Sequence, residues 1–246
     1  RPILSLDAAH LKSKWKGTLY VASVKSACDE IYPVAFAIMN DNENLSGWKW
    51  FLHLLRQCLP ILTIDHPKPG VAFKYFTFIS DRQKDLVPAL HEAFPENHCC
   101  FCAIHIARNV EKTYGKKVAK HVMRLAKSLS TIENDELLAM IGEKSRTGRA
   151  YLENIPARQW RNIAWLEDAT LPPRYDVTTS NTSESTNSML EHSRDGSWLT
   201  SIDTILSKMV LRIASLWDLH KSKSGVIEKV AAKVGKRWEN CLGFRI

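Results

Sequence analysis

The pattern of apolar and polar positions changes character several times along the chain. Residues 2–9 ("PILSLDAA"), 17–27 ("GTLYVASVKSA") and 31–39 ("IYPVAFAIM") are short runs of β-branched, aromatic and small apolar residues, divided by polar, turn-like stretches. Such runs predict strands, and their short connections predict an antiparallel meander. The cluster "NDNEN" interrupts the pattern. Beyond it Trp48, Phe51, Leu52, Leu55 and Leu59 recur at helical spacing, with Ser46 placed to cap the helix and its apolar face expected on the sheet.

After a loop marked by Pro and Gly at 65–70, residues 73–80 read as a fourth strand and 85–94 as a helix that tolerates Pro88 in its first turn. Residues 98–102 read as a fifth strand, followed by helix from about residue 104. Three antiparallel strands and then strand–helix alternation predict an α/β fold, a mixed sheet flanked by helices. From 111 to 170 the strand signal vanishes, and stretches such as "VAKHVMRLAKSL" and "NDELLAMIGE" read as amphipathic helices. Helix returns at 183–194 and 201–222. The expected organisation is a first part of the core at 1–110, a helical insertion at 111–175 and a helical part completing the core at 176–246.

Composition narrows the class. With 246 residues, 45% of them hydrophobic, the chain can bury a sizeable interior. It opens on Arg1 and is expected to be a segment of a longer polypeptide. No run approaches the roughly 18 consecutive apolar residues of a membrane span, so no membrane partner is expected. The cysteines at 28, 58, 99, 100, 102 and 241 are unevenly spread, unlike a disulfide framework, which suits a reducing compartment, cytosol or nucleus. A formal charge of +8 points towards a polyanionic partner, because neutralised phosphates release counterions.

Three acids stand at informative places. Asp7 ends an alternating strand, Asp81 follows another strand directly, and Glu184 lies near the start of a late helix. Each has an ordinary reading: Asp7 as a solvent-facing residue, Asp81 as a helix cap, and Asn181 with Glu184 as a capping box. Jointly, acids at the ends of adjacent strands with a third on a helix packed there can share one crevice. Carboxylate oxygens suit Mg²⁺, and two ions about 3.5 to 4 Å apart assist an in-line displacement at phosphorus.

The blocks "LDAAHLK", "YPVAFAIMNDNENLSGWKWFLHLL", "FTFISDRQKDLVPALHEAFPENHCCFCAIHIARN" and "TTSNTSESTNSML" together resemble the Mutator-like element (MULE) transposases, in that family's order. The resemblance implies a ribonuclease H-like fold whose catalytic and metal-binding triad is Asp7, Asp81 and Glu184. It implies Mg²⁺, with Mn²⁺ as a substitute, and DNA strand cleavage and strand transfer at transposon ends. The implied partners are double-stranded DNA with terminal inverted repeats, target DNA and further copies of the chain in the DNA complex, and the implied compartment is the nucleus. Ala8 and Ala9 depart from the Gly and small polar residue expected after the first acid, and "ENHCCFC" replaces a more basic approach. Many relatives of this family are domesticated DNA-binding regulators without catalysis, which is the alternative reading. A nuclease-fold scaffold is a third.

Cys102 and His105 form the family's Cys-x-x-His signature, and with His10 they are expected to support the site. Zinc at this pair would need a second ligand pair that the spacing does not supply. Arg108, Lys112, Lys116, Lys120 and Arg124 recur every four residues and would form a stripe on a continuous helix, reading either as a track for a phosphate backbone or as a solvated face interrupted at Gly115. Trp160 and Trp165 suit the core or stacking on an unpaired base, whereas Trp48 and Trp50 read as core residues of the first helix.

Overall fold

The computed structural model describes residues 3–25, 30–59, 76–168, 170–171 and 177–221. The expected loop at 65–70, the start of the fourth strand before Phe76, Cys28 and the chain beyond Lys221 lie outside the described residues. The sheet is built from β1 (Ile3–His10), β2 (Thr18–Lys25), β3 (Ile31–Met39), β4 (Thr77–Ser80) and β5 (His98–Phe101), in the order β3-β2-β1-β4-β5. The first three strands form the antiparallel meander, while β4 runs parallel to β1 and β5 parallel to β4. The mixed α/β sheet expected from the sequence is therefore present.

Side-chain alternation sends successive residues of each strand to opposite faces. Leu4, Leu6, Tyr20, Ala22 and Phe78 pack on one face against Trp48, Phe51 and Leu52 of α1 (Leu45–Cys58) and Leu86 and Leu90 of α2 (Leu86–Ala93). The Tyr20 and Trp48 rings meet edge to face at 4.8 Å. The approach is so close that a Cβ at Gly47 would stand 2.3 Å from the Tyr20 hydroxyl oxygen, so α1 carries glycine there. Trp50, expected near the core, is instead 49% exposed, because it falls on the far side of the same helix. The cap also differs from expectation. Asn44, not Ser46, caps α1: its Oδ1 accepts from the Gly47 amide at 2.8 Å, and its own amide donates to Asp41 Oδ2 at 2.7 Å.

The opposite face is covered by late elements. Leu19 and Val21 pack with Leu190 and Ile205, which follow α9 (Asn181–Met189) and lie on α10 (Trp198–Lys221) respectively, while Ile3, Ile79 and Cys100 pack with Trp165 and Val177. Between β5 and α9 runs a helical block: α3 (Ala103–Tyr114), α4 (Lys116–Ala119), α5 (Val122–Lys127), α6 (Thr131–Lys144), α7 (Arg146–Glu153) and α8 (Ala164–Glu167). It has a core of its own, where Ile106, Val122, Leu125, Ile141, Leu152 and Trp160 are almost fully buried. "VAKHVMRLAKSL" is thus two short helices rather than one. Val118, Ala119, Val122 and Leu125 bury equally well on either side of the turn at Lys120 and His121, so the apolar spacing did not locate the break. Among the described residues no helix is long and apolar enough to cross a membrane.

Candidate active site

Asp7 does not end its strand, which continues to His10 in its pairing with β2; it and Asp81, directly after β4, stand level just past the end of the parallel pairing of β1 and β4. The last registered pair of β1 and β4 is Ser5 with Ile79, and each acid lies two residues farther along its own strand direction. Asp7 faces the side covered by α9. Its Oδ1 accepts from the Ala8 amide at 2.9 Å and its Oδ2 from Asn187 Nδ2 at 2.8 Å. Burial, followed by the charge of Asp81, pushes the Asp7 carboxyl up to about 7, against lesser relief from the Ala8 amide and His105.

Asp81 does not cap the helix that follows it. Its Oδ1 accepts from the Gln83 amide at 3.2 Å, closing a local turn, and α2 starts only at Leu86. The free amides there are taken by Gln83, whose Oε1 accepts from Asp85 and Leu86, both at 2.6 Å. Nor is there a capping box at the third acid: α9 begins after Ser180 without a side-chain cap, and the Glu184 side chain turns elsewhere.

Glu184 meets α3. Its Oε1 accepts from Arg108 Nη1 at 2.8 Å and lies 4.0 Å from His105 Nε2. His105 and Arg108 are one turn apart on α3, as are Glu184 and Asn187 on α9, so two helix faces meet beside the strand ends. The structure thereby brings Asp7, Asp81, His105 and Glu184 to one end of the sheet. Among the described residues, however, no group of three or more His, Cys, Asp or Glu side chains is gathered tightly enough to hold a metal ion.

Cys102 is the junction between these parts. Its backbone amide donates to Ser80 O at 2.8 Å, next to Asp81, and its Sγ accepts from the Ser180 amide at 3.2 Å, just before α9. Ala103 N adds a bond to Thr178 O at 2.9 Å. Burial alone would push the Cys102 thiol up, but its interactions with His105 and Ser180 bring it below its ordinary value. The contact with Cys102 in turn raises His105 against the effect of burial. Nδ1 of His105 is buried without a partner at hydrogen-bonding geometry, so the mutual influence is that of close neighbours rather than of a well-made bond.

His10, at the end of β1, is exposed; its backbone oxygen accepts from Arg194. It lies towards Glu43, a residue the sequence pattern presented only as part of a polar break. Burial raises the Glu43 carboxyl, Trp48 Nε1 donates to it at 2.9 Å, and both Asp81 and His10 act on its charge. Glu43 also raises Asp7, so a further acid contributes to the negative field at this end of the sheet. Asn187 was likewise missed; its spacing of one turn from Glu184 is the signal that could have found it.

The basic residues do not form one stripe. Gly115, with φ 88°, ends α3, so Arg108 and Lys112 lie on one helix, Lys116 on α4, Lys120 in the following turn and Arg124 on α5. Arg108 is paired with Glu184 and Arg124 with Glu133 at 2.9 Å, while Lys112, Lys116 and Lys120 are exposed. Trp160 is fully buried, its Nε1 donating to Ile155 O at 3.3 Å, which removes it as a stacking platform; Trp165 packs edge to face with His98.

The acids fit a hard divalent cation in part. Asp7 and Asp81 offer carboxylate oxygens in a region where their charges oppose each other, and Oδ1 of Asn187 beside Asp7 is a buried acceptor without a partner. Glu184 would enter such a set with its Oε1 already bonded to Arg108. Residues 3–109 match the MULE transposase domain. The MULE match contains Asp7, Asp81, Cys102, His105 and Arg108 and ends before α9, so Glu184 lies outside it. The five-strand order agrees with the ribonuclease H-like core expected of a MULE domain. A match to this DDE-type transposase family implies a transposase-related function, DNA as a partner and the divalent metal such families typically use. No curated protein matches the chain.

Proposed function

We propose that the chain is the catalytic core of a DDE-type DNA transposase that cleaves DNA at transposon ends and joins the ends to target DNA, using Mg²⁺ or Mn²⁺ held by Asp7, Asp81 and Glu184. The observation that carries this reading is the placement of Asp7 and Asp81 level just past the end of the parallel pairing of β1 and β4, within the MULE match, with the helix of Glu184 bonded to Asp7 through Asn187. Divalent ions bound there supply charge for activating a water or a 3′-hydroxyl and for stabilising the leaving oxygen. The remaining work falls to the chain. Ala8 and Asn187 orient Asp7, the Gln83 amide orients Asp81, and Cys102 joins the strand end of Asp81 to the start of α9. His105 sits where it can bear positive charge beside Glu184 or a phosphate. Lys112, Lys116 and Lys120 offer separate phosphate contacts. Buried thiols at Cys99 and Cys102, neither of them in a disulfide, suit the nuclear compartment this reading requires.

A second reading, a DNA-binding regulator without catalysis, draws on the Arg108–Glu184 pair, in which the third acid has a partner within the chain. The test is cleavage and joining of duplexes carrying the element's inverted repeats with Mg²⁺ or Mn²⁺. Asp7→Asn, Asp81→Asn and Glu184→Gln are expected to bind these duplexes and to lose at least about 10³-fold in cleavage. A wild-type protein that binds the ends and never cuts them would establish the regulator reading.

A further inference from the structure

Among the described residues, Asn187 bridges the helix of Glu184 to Asp7. It lies one turn after Glu184 on α9, and its Nδ2 donates to Asp7 Oδ2 at 2.8 Å. The other half of its amide, Oδ1, is buried and has no hydrogen-bond partner among the described residues. A buried acceptor left unpaired is costly and uncommon, and it calls for a donor that the described residues do not supply. Neighbouring contacts hold the helix in place without Asn187. Thr186 Oγ1 bonds to Ser23 Oγ on β2 at 3.0 Å, and Ser180 N bonds to Cys102 Sγ, so docking alone does not explain an amide at 187.

We propose that Asn187 is a positioning residue for the metal site: its NH₂ group fixes Asp7 Oδ2, and its unpartnered Oδ1 accepts a hydrogen bond from a water carried by the divalent cation. The proposal rests on the metal-dependent reading above. It gives α9 two roles at adjacent turns, Glu184 reaching the cation directly and Asn187 reaching it through water and through Asp7. A side chain that holds both a ligand and a bound water typically contributes ten- to a hundredfold to metal affinity.

The test uses this chain with Mn²⁺ as the probe. Asn187→Leu keeps the approximate size of the side chain and removes both donor and orphan acceptor. It is expected to weaken Mn²⁺ binding, followed by electron paramagnetic resonance, at least about tenfold, with a loss of metal-free stability no larger than the one hydrogen bond to Asp7 accounts for, about 1 kcal/mol. A packing role would give the opposite pattern, a lower melting temperature with unchanged affinity per folded molecule. In the wild type, Mn²⁺ is expected to broaden the Asn187 side-chain amide signal in nitrogen-15 spectra ahead of other Asn side chains, which keeps the test independent of how the variant folds. Equal Mn²⁺ affinity in wild type and Asn187→Leu, or an Asn187 signal untouched by bound Mn²⁺, overturns the proposal. If the wild type binds no Mn²⁺, the metal reading falls and takes the water contact with it. The Asp7 contact is then decided in metal-free protein, where Asp7→Ala must shift the Asn187 side-chain signal, and an unmoved signal overturns that part as well.

Discussion

Asp81 could serve as a helix cap by its position in the sequence, yet the capping is done two residues later. Gln83 takes the Asp85 and Leu86 amides, so Gln83→Ala is expected to cost about 1 kcal/mol in denaturant unfolding, whereas Asp81→Asn leaves stability within about 0.5 kcal/mol. Equal losses at both positions would return Asp81 to a capping role. Asp7 contributes a pH dependence of its own. Its carboxyl is raised from 3.8 to about 7, so the folded state binds more protons than the unfolded chain between those values, and this group's contribution to stability falls as pH rises through that window. Metal-free Asp7→Asn is expected to show a flatter decline of melting temperature from pH 4 to 7, and Mn²⁺ to raise the wild-type melting temperature more at pH 8 than at pH 5. An unchanged slope in Asp7→Asn would assign the pH response to other groups. The sequence made Asp7 and Asp81 legible because one lies in an alternating strand run and the other directly follows a strand. It hid Glu43 and Asn187, whose relevance depends on packing across chain distances that no local pattern records.

At the scale of elements, hydrophobic periodicity locates the strands and long helices closely, and the differences fall where local signals compete. Asn44 took the cap expected of Ser46 because Asp41 holds its side chain in place, one turn of polar bonding that hydrophobic spacing cannot report. The basic repeat of four failed as a stripe because Gly115 leaves the helical conformation. No atom lies within 4 Å of a Cβ built there, so Gly115→Ala meets no steric clash and is expected to cost about 1–3 kcal/mol through backbone strain alone. A calorimetric loss near zero would show that the α3–α4 corner relaxes freely. Replacing Lys112, Lys116 and Lys120 by Gln is expected to lower DNA affinity across sequences and to flatten its salt dependence by a slope of about 0.9 for each phosphate that is no longer neutralised. An unaltered slope would leave these lysines as solvated surface.

Across the whole molecule, the sheet changes from antiparallel to parallel pairing at β1, and Asp7 and Asp81 stand on either side of the parallel seam. The order of elements carried this much in the sequence. Which face α9 would cover was not legible, since Leu190 and Ile205 find their partners Leu19 and Val21 only after the helical block has brought the chain back. The Arg108–Glu184 pair spans that return and has a thermodynamic consequence. On the metal-dependent reading, a DNA phosphate and Glu184 compete for Arg108 where they need the same Nη1–H, so DNA that draws Arg108 away frees Glu184 Oε1 for a cation, and a cation on Oε1 frees Arg108 for DNA. Each ligand therefore raises the affinity of the other by one and the same factor, expected to be at most about fivefold because the pair is largely exposed. Titrating Mn²⁺ with and without duplex, and duplex with and without Mn²⁺, measures both arms; in Arg108→Gln the factor should collapse towards one, so that on the proposed reading metal loading would no longer wait on substrate.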